Sequence, residues 1–304
     1  MRVDVPILYC CYNRPSNVKK SIAVLKNIKA KNIYIVCDGP KKNISDIKKC
    51  NSVKKILNHT NFSTKPIFKF RKKNLGCKNS ISQAITWFFK NEKSGIILED
   101  DLIPSYDFFK FCEFGLKKYK NSKKIRMISG TNYIGFKNHS NNYFFSKHYI
   151  IWGWATWKDA WSKYDVAMKD WNKQNIKNKI QKYNTEEEFK FLNERFTQFQ
   201  NEYKDTWDIQ WYFTCTKNNW LTMTPETNLV TNIGIKGTHS NKYYDTLHLK
   251  TGKIDFKVLK GPTQIKNNED FDLKVNNYFN FKNNLMKKFY YKLKYKLNRY
   301  LFNY

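Results

Sequence analysis

The sequence predicts an α/β protein in which parallel strands alternate with helices, and three features carry that expectation. Two short apolar runs, VPILYCC at 5–11 and NIYIVCD at 32–38, have the length and composition of buried strands. The stretch between them sets Val18, Ile22, Leu25 and Ile28 on one helical stripe. Each run ends in turn residues, YNRPS after the first and GP after the second. Strand, helix and strand in this order imply a crossover connection and a parallel sheet.

The elements then follow in order. Ser16 is the expected cap of the first helix. A helix is expected over 44–58, a strand over 66–70, a helix over 79–90, and a strand, GIIL, over 95–98. That strand delivers three consecutive acids, Glu99, Asp100 and Asp101. SYDFFKFCEFGLKKY reads as a helix and IRMISG at 125–130 as another strand. A Trp-rich stretch, IIWGWATWKDAW, leads into polar helical sequence from 186 to about 218. A further strand then runs into a Gly-containing loop that ends at His239. This organisation gives a main domain over 1–240, an irregular extension over 241–280 and a distinct segment over 281–304.

Composition restricts the classes. The chain has 304 residues and a hydrophobic fraction of 41%, enough for an ordinary globular core. No charged region followed by an apolar one opens the sequence, and YIIWGWATW at 149–157 is too short and broken to span a bilayer. A soluble or peripheral protein is expected. Seven cysteines form no CxxC pair and several lie in strand-like runs, which favours a reducing cytoplasm and disfavours structural zinc. Lys and Arg outnumber Asp and Glu by 56 to 25, for a formal charge of +31. Much of that excess is Lys among abundant Asn, Ile, Tyr and Phe, as codon bias would produce, so total charge decides little alone.

Segment 281–304 is more specific. It holds six Lys, one Arg and no acid, and Leu285, Phe289, Leu293, Leu297 and Leu301 recur every four residues. A basic amphipathic helix of this kind suits an anionic membrane surface, or packs on the domain with a solvated basic face.

In a doubly wound sheet, ligands gather at the carboxyl ends of the strands. Arg14, Asp38 and Glu99-Asp100-Asp101 all fall just beyond such ends. Three adjacent carboxylates repel one another, and a hard divalent cation with open positions for substrate phosphates would neutralise them. Such a cation bridging a diphosphate serves transfer from a nucleotide-activated substrate. Arg14 and Lys78 would then have phosphate or base oxygens to contact.

At this point the sequence resembles a family. EDDLIPSYDFF is similar to the EDD metal motif of GT-A glycosyltransferases in the branch of N-acetylglucosaminyltransferase I and related bacterial enzymes. YCCYNRPSNVKKSIAVL, IVCDGP, NLGCKNSISQAI, WGWATWKDAW, TWDIQWYF and WLTMTPETNLVTNIGIKGTH resemble its further blocks in the same order, over roughly residues 5–240. The resemblance implies a Rossmann-like nucleotide-diphospho-sugar transferase fold, a mixed sheet flanked by helices. It implies Asp101 as direct ligand of Mn2+ or Mg2+, with Glu99 and Asp100 facing donor sugar and ribose. Arg14 and Asp38 would surround the nucleobase, Lys78 would contact base or phosphate, and His239 would approach the metal or diphosphate. Asp208, in TWDIQW, would be the base of an inverting transfer, with Asp205 or Glu226 as substitutes if the register differs. Trp154, beside Gly153, is the tryptophan expected near substrate, while Trp157 and Trp161 have the one-turn spacing of core residues.

The expected function is metal-dependent inverting transfer of a sugar from a UDP-sugar or similar donor to a bacterial glycan or glycolipid. It would act in the cytoplasm, at the inner face of the membrane. A nucleotidyltransferase of similar architecture is the enzymatic alternative, although the YNRPS turn lacks the glycines of a phosphate loop. A basic nucleic-acid-binding protein is the non-enzymatic one, but it has no use for an acid triplet at a strand end, and no nucleic-acid partner is expected.

Overall fold

The computed structural model describes residues 1–137, 141–202, 204–234 and 250–280. The segment over 281–304, with its expected amphipathic helix, lies outside the described residues, as does His239.

The chain opens with β1 (Arg2–Val3), β2 (Ile7–Cys11), α1 (Pro15–Leu25), β3 (Lys29–Ala30), β4 (Ile33–Cys37) and α2 (Ile44–Asn58). β5 (Ile67–Phe70), α3 (Gly76–Asn91), β6 (Ser94–Glu99), β7 (Leu102–Pro104), α4 (Tyr106–Lys118) and β8 (Ile125–Ser129) follow. Next come β9 (Tyr143–Ser146), β10 (Trp154–Trp157), α5 (Lys158–Trp161), a 3-10 turn (Lys169–Asn172), α6 (Gln174–Lys182) and α7 (Glu186–Asn201). The described elements end with α8 (Asp208–Lys217), β11 (Leu221–Pro225), β12 (Val230–Asn232) and α9 (Glu269–Asn280).

Eight strands form one mixed sheet in the order β5-β4-β2-β6-β10-β8-β11-β9. β10 runs antiparallel to both its neighbours, β6 and β8, and β9 runs antiparallel to β11. The other six strands share one direction, so their carboxyl ends form one edge. Register aligns these ends, with Cys10 beside Glu99 and Cys11 beside Cys37.

Both faces are covered, which is why the strands read as continuous apolar runs. On one side Ile7, Tyr9, Ile96 and Leu98 pack with Val18 and Ile22 of α1, Val53 and Leu57 of α2, and Phe108 of α4. On the other, Leu8, Cys10 and Ile97 pack with Ile85 and Phe88 of α3, Trp161 of α5 and Trp211 of α8. A smaller cluster joins Trp171, Leu192, Phe196 and Phe213 beneath α6, α7 and α8. The 250–280 stretch is built onto the β9 edge: Phe271 and Val275 are fully buried, and Asp272 accepts hydrogen bonds from Ser146 Oγ at 2.6 Å and Asn267 Nδ2 at 2.8 Å.

Three sequence expectations change. Ser16 does not cap α1: Arg14 occupies the cap position and Pro15 the first turn, where its fixed φ and missing N–H suit a helix start. The polar run expected over 186–218 divides into α7 and α8. α7 is started by a reciprocal capping box of Thr185 and Glu188. Third, the Trp-rich stretch supplies a strand, and that strand decides where its tryptophans go. β10 sets Trp154 opposite Ile97 and Ser129, so the ring enters the core between the sheet and α8. It is 1% exposed, with Trp207 stacked at 5.7 Å and Trp211 at 5.3 Å between ring centroids. No ring face is left open to a sugar. Trp157 and Trp161 are both buried, but on opposite faces of the sheet rather than on one helical stripe.

Trp154→Ala should therefore cost about 3–5 kcal/mol, the range for removing a buried aromatic. Urea unfolding monitored by circular dichroism measures it; a change within about 0.5 kcal/mol, the size expected at a surface site, would contradict this placement.

Candidate active site

The acid triplet stands at the end of β6, in the middle of the parallel edge. Asp100 turns inward and is 1% exposed, while Asp101 keeps 22% of its side chain accessible and Glu99 is half-buried. Arg14, carried on the turn after the adjacent strand β2, pairs with both aspartates. Its Nη2 meets Asp100 Oδ1, and its Nη1 donates to Asp101 Oδ2 at 3.0 Å. The Tyr12 N–H also points to Asp100 Oδ2, at 3.4 Å. Arg14 thus neutralises the acids; the expectation that it surrounds a nucleobase gains no support from this geometry.

The electrostatics are uneven across the three. Burial, with the charges of Asp101, Asp100 and Asp208, pushes Glu99 up to about 8 against the pull of Arg14. Burial also pushes Asp100 up to about 6, with Arg14 opposing. Asp208 therefore belongs to the same field, although 107 positions separate it from Asp101 in sequence. It is the first residue of α8, half-buried, and its Oδ1 accepts a hydrogen bond from Thr206 Oγ1.

Asp205 has a different task. Its two oxygens accept the Cys77 and Lys78 N–H groups at 2.9 Å each, capping α3 from a distant part of the chain. Gly76 makes this approach feasible: its φ is +76°, and a Cβ there would lie 2.7 Å from Asp205 Oδ2. A carboxylate so engaged is poorly placed to serve as a base. Glu226 follows β11, three strands from β6 across the sheet, roughly 14 Å at about 4.8 Å per strand. Of the three candidates, Asp208 is the one whose charge helps to raise Glu99. The segment bearing it is fixed again at Trp207, which is 2% exposed and whose carbonyl accepts the Tyr164 hydroxyl at 3.1 Å.

Asp38, at the end of β4, is 3% exposed. It accepts Asn74 Nδ2 at 3.0 Å and the Leu75 N–H at 3.1 Å, with Arg71 Nη1 3.9 Å away. It ties the strand end to the loop before α3. Lys78 sits in the first turn of α3, its amine 5.3 Å from the Phe199 ring centroid. Arg71 escaped the sequence reading, and Asp205, named there only as a substitute base, escaped it as a helix cap. The one signal for that role was a helix start, NLGC, whose cap position is Leu75, a side chain with no oxygen to accept.

Among the described residues no three His, Cys, Asp or Glu converge as a ready-made metal site. Asp101 is the residue suited to hold a cation: its carboxylate is partly exposed, and only its Oδ2 is engaged by Arg14. The chain leaves the site along β12, which pairs with β7; the Ile233 N–H donates to the Asp101 carbonyl at 2.7 Å and Gly234 lies against its carboxylate.

No family model matches this chain, and no curated protein does. Solved structures give distant matches. A Bacillus anthracis chain assigned as a glucose-1-phosphate thymidylyltransferase is 14% identical over 83% of this chain and 98% of its own, with a TM-score of 0.37. A UDP-glucose pyrophosphorylase is 8% identical over 75% and 93%, TM-score 0.34. The glycosyltransferase GlyE of Streptococcus pneumoniae is 10% identical over 72% of this chain and 45% of its own, TM-score 0.29. At such scores and identities these likenesses carry no residue role and no activity over to this chain. What the structure itself establishes is the α/β class: a large mixed sheet with helices on both faces. No described helix is long and apolar enough to cross a membrane.

Two measurements check the site. Asp205→Ala should destabilise by about 1 kcal/mol or somewhat more, the usual cost of losing a helix cap, with Asp205→Asn recovering part of it. The second concerns pH. A carboxylate raised from 4.5 to about 8 in the folded state binds more protons folded than unfolded, so its contribution to stability falls as pH rises through that window. In chelator, Tm of the wild type should drop relative to Glu99→Gln between pH 5 and 8; parallel curves would show Glu99 ionising normally.

Proposed function

We propose that the chain is a metal-dependent, inverting glycosyltransferase that takes a UDP-sugar as donor, in keeping with its resemblance to the N-acetylglucosaminyltransferase I branch of GT-A enzymes. The observation that carries this reading is the acid triplet at the carboxyl end of β6, with Arg14 paired to two of its acids and Asp208 near enough to raise Glu99. One partly exposed acid suited to a cation, and a second acid nearby for proton transfer, are the two parts such a transfer requires.

Asp101 would hold Mn2+ or Mg2+ in the manner usual for phosphate substrates, where one or two carboxylates suffice and the diphosphate completes the shell. When bound, the cation supplies Lewis-acid stabilisation of the negative charge that develops on the diphosphate. Asp208 takes the proton from the acceptor hydroxyl as its oxygen bonds to the anomeric carbon. The bond from that carbon to the diphosphate oxygen breaks on the opposite face, and the nucleoside diphosphate leaves with the electron pair. Asp100, buried against Arg14, holds the turn that aims its neighbours. Glu99 stands beneath donor sugar and ribose, and Asp38 with Lys78 completes the nucleotide side of the crevice. The acceptor would be a glycan or glycolipid of the bacterial surface, with the 281–304 segment as one means of reaching the inner membrane face.

The test is release of UDP from a panel of UDP-sugars in Mn2+. Wild type should hydrolyse one donor slowly, Asp101→Ala should remove the metal-dependent rate, and Asp208→Asn should slow transfer by about 10²–10⁴-fold, the scale of general-base catalysis. Pyrophosphate as the product, formed from a sugar phosphate and a nucleoside triphosphate, would instead make the chain a nucleotidyltransferase.

A further inference from the structure

The charge on α2 is organised in a way that the donor site does not use. Residues 41–55 contain six lysines, Lys41, Lys42, Lys48, Lys49, Lys54 and Lys55, and a single acid, Asp46. That acid is buried, 6% exposed, and accepts hydrogen bonds from Tyr12 Oη, Asn13 Nδ2 and the Lys41 N–H. It is consumed as an internal anchor, and the outside of the segment is left wholly cationic. None of the six lysines is salt-bridged among the described residues.

Two large aliphatic side chains stand in this cationic field. Ile44, in the first turn of α2, is 72% exposed and Ile47 is 40% exposed. At about 100° per residue, Ile44, Lys48, Asn51 and Lys55 lie opposite the buried stripe of Asp46, Cys50, Val53 and Leu57, and Ile47 lies to one side of that outer stripe. The outer stripe is about 16 Å long at about 1.5 Å per residue. It is extended by the facing loop, where Lys72 and Lys73 are both exposed and where the backbone of Lys73 packs on Gly39, two residues before Lys41.

We propose that this surface, the outer face of α2 with the 39–43 and 71–73 loops, docks the protein on an anionic phospholipid bilayer. Lys42, Lys48, Lys55, Lys72 and Lys73 meet the headgroup charge, and Ile44 and Ile47 enter the acyl boundary. Charge complementarity selects the partner: lysines without exposed acids suit a surface of uniform negative charge. The exposed aliphatics decide between polyanions. A bilayer has an apolar layer to receive them, whereas single-stranded nucleic acid is gripped by aromatic rings that stack on bases, and none is exposed on this face. Docking here lays the Asp38 end of the sheet edge toward the bilayer. It uses residues separate from the acid triplet and from 281–304, and it does not depend on the reading of the donor site.

Co-sedimentation of the full chain with vesicles tests it, using phosphatidylcholine alone and phosphatidylcholine with about one third phosphatidylserine. The wild type should bind the anionic vesicles only, and less so as salt rises. Ile44→Ser/Ile47→Ser and, separately, Lys42→Glu/Lys48→Glu should each weaken binding about tenfold or more with Tm unchanged, because the four side chains are on the surface. Absence of wild-type binding to anionic vesicles overturns the proposal. So does binding that both variants retain in full, which would put the contact elsewhere, in 281–304 for example. A DNA oligonucleotide serves as the competing ligand: binding to it that is lost in the lysine variant but kept in the isoleucine variant, with no vesicle binding, would make the surface a nucleic-acid contact.

Discussion

The arrangement turns on one guanidinium. Three carboxylates at the end of a central strand repel one another, and Asp100 is almost wholly removed from water. Charges so placed need a partner, because desolvation costs several kcal/mol per ion unless a neighbouring charge and hydrogen bonds offset it. Arg14 is that partner for Asp100 and Asp101 together, and it can be so only because β2 and β6 are adjacent, in register and parallel. The YNRPS turn after β2 therefore has two roles: Pro15 starts α1, and Arg14 just before it reaches the acids.

The same pairing shapes the chemistry available at the edge. Arg14 meets Asp101 through one oxygen and leaves the carboxylate partly exposed, so the outermost acid remains open to a cation. Glu99 lacks an equivalent partner and stays raised by burial and by its neighbours, Asp208 among them. Asp208 is in turn held by two fixtures within the break between α7 and α8: Asp205 on the start of α3, and the Trp207 carbonyl on Tyr164. Aromatic packing around Trp154, Trp161, Trp207 and Trp211 forms the floor beneath these fixtures. The tryptophans serve the site from below, as rigid support.

Much of this was legible in the chain. VPILYCC, NIYIVCD and GIILEDD read as buried strands because sheets covered on both faces demand continuous apolar runs, and α2 begins and ends where its pattern does. The placement of Arg14, Asp38 and the triplet at one sheet edge followed from strand polarity alone. Less legible were contacts with no local signature. Asp205 caps a helix 128 positions away, Arg71 neighbours Asp38, and β10 inserts between β6 and β8 although its residues come after both.

Sequence by itself determined the alternating strands and helices of the first hundred residues and the position of the acids directly after an apolar run. Those are local properties, fixed by side-chain spacing and turn chemistry within a few residues. Tertiary structure decided which acid faces water, which is neutralised, and which way each tryptophan points. Strand faces alternate every residue, so the register of β10 against its neighbours sent Trp154 inward on one side and Trp157 on the other. Likewise Arg14 could have served any anion near the edge. The spacing of two paired strands brought it within 3.0 Å of Asp101, and only that distance assigned it to the acids.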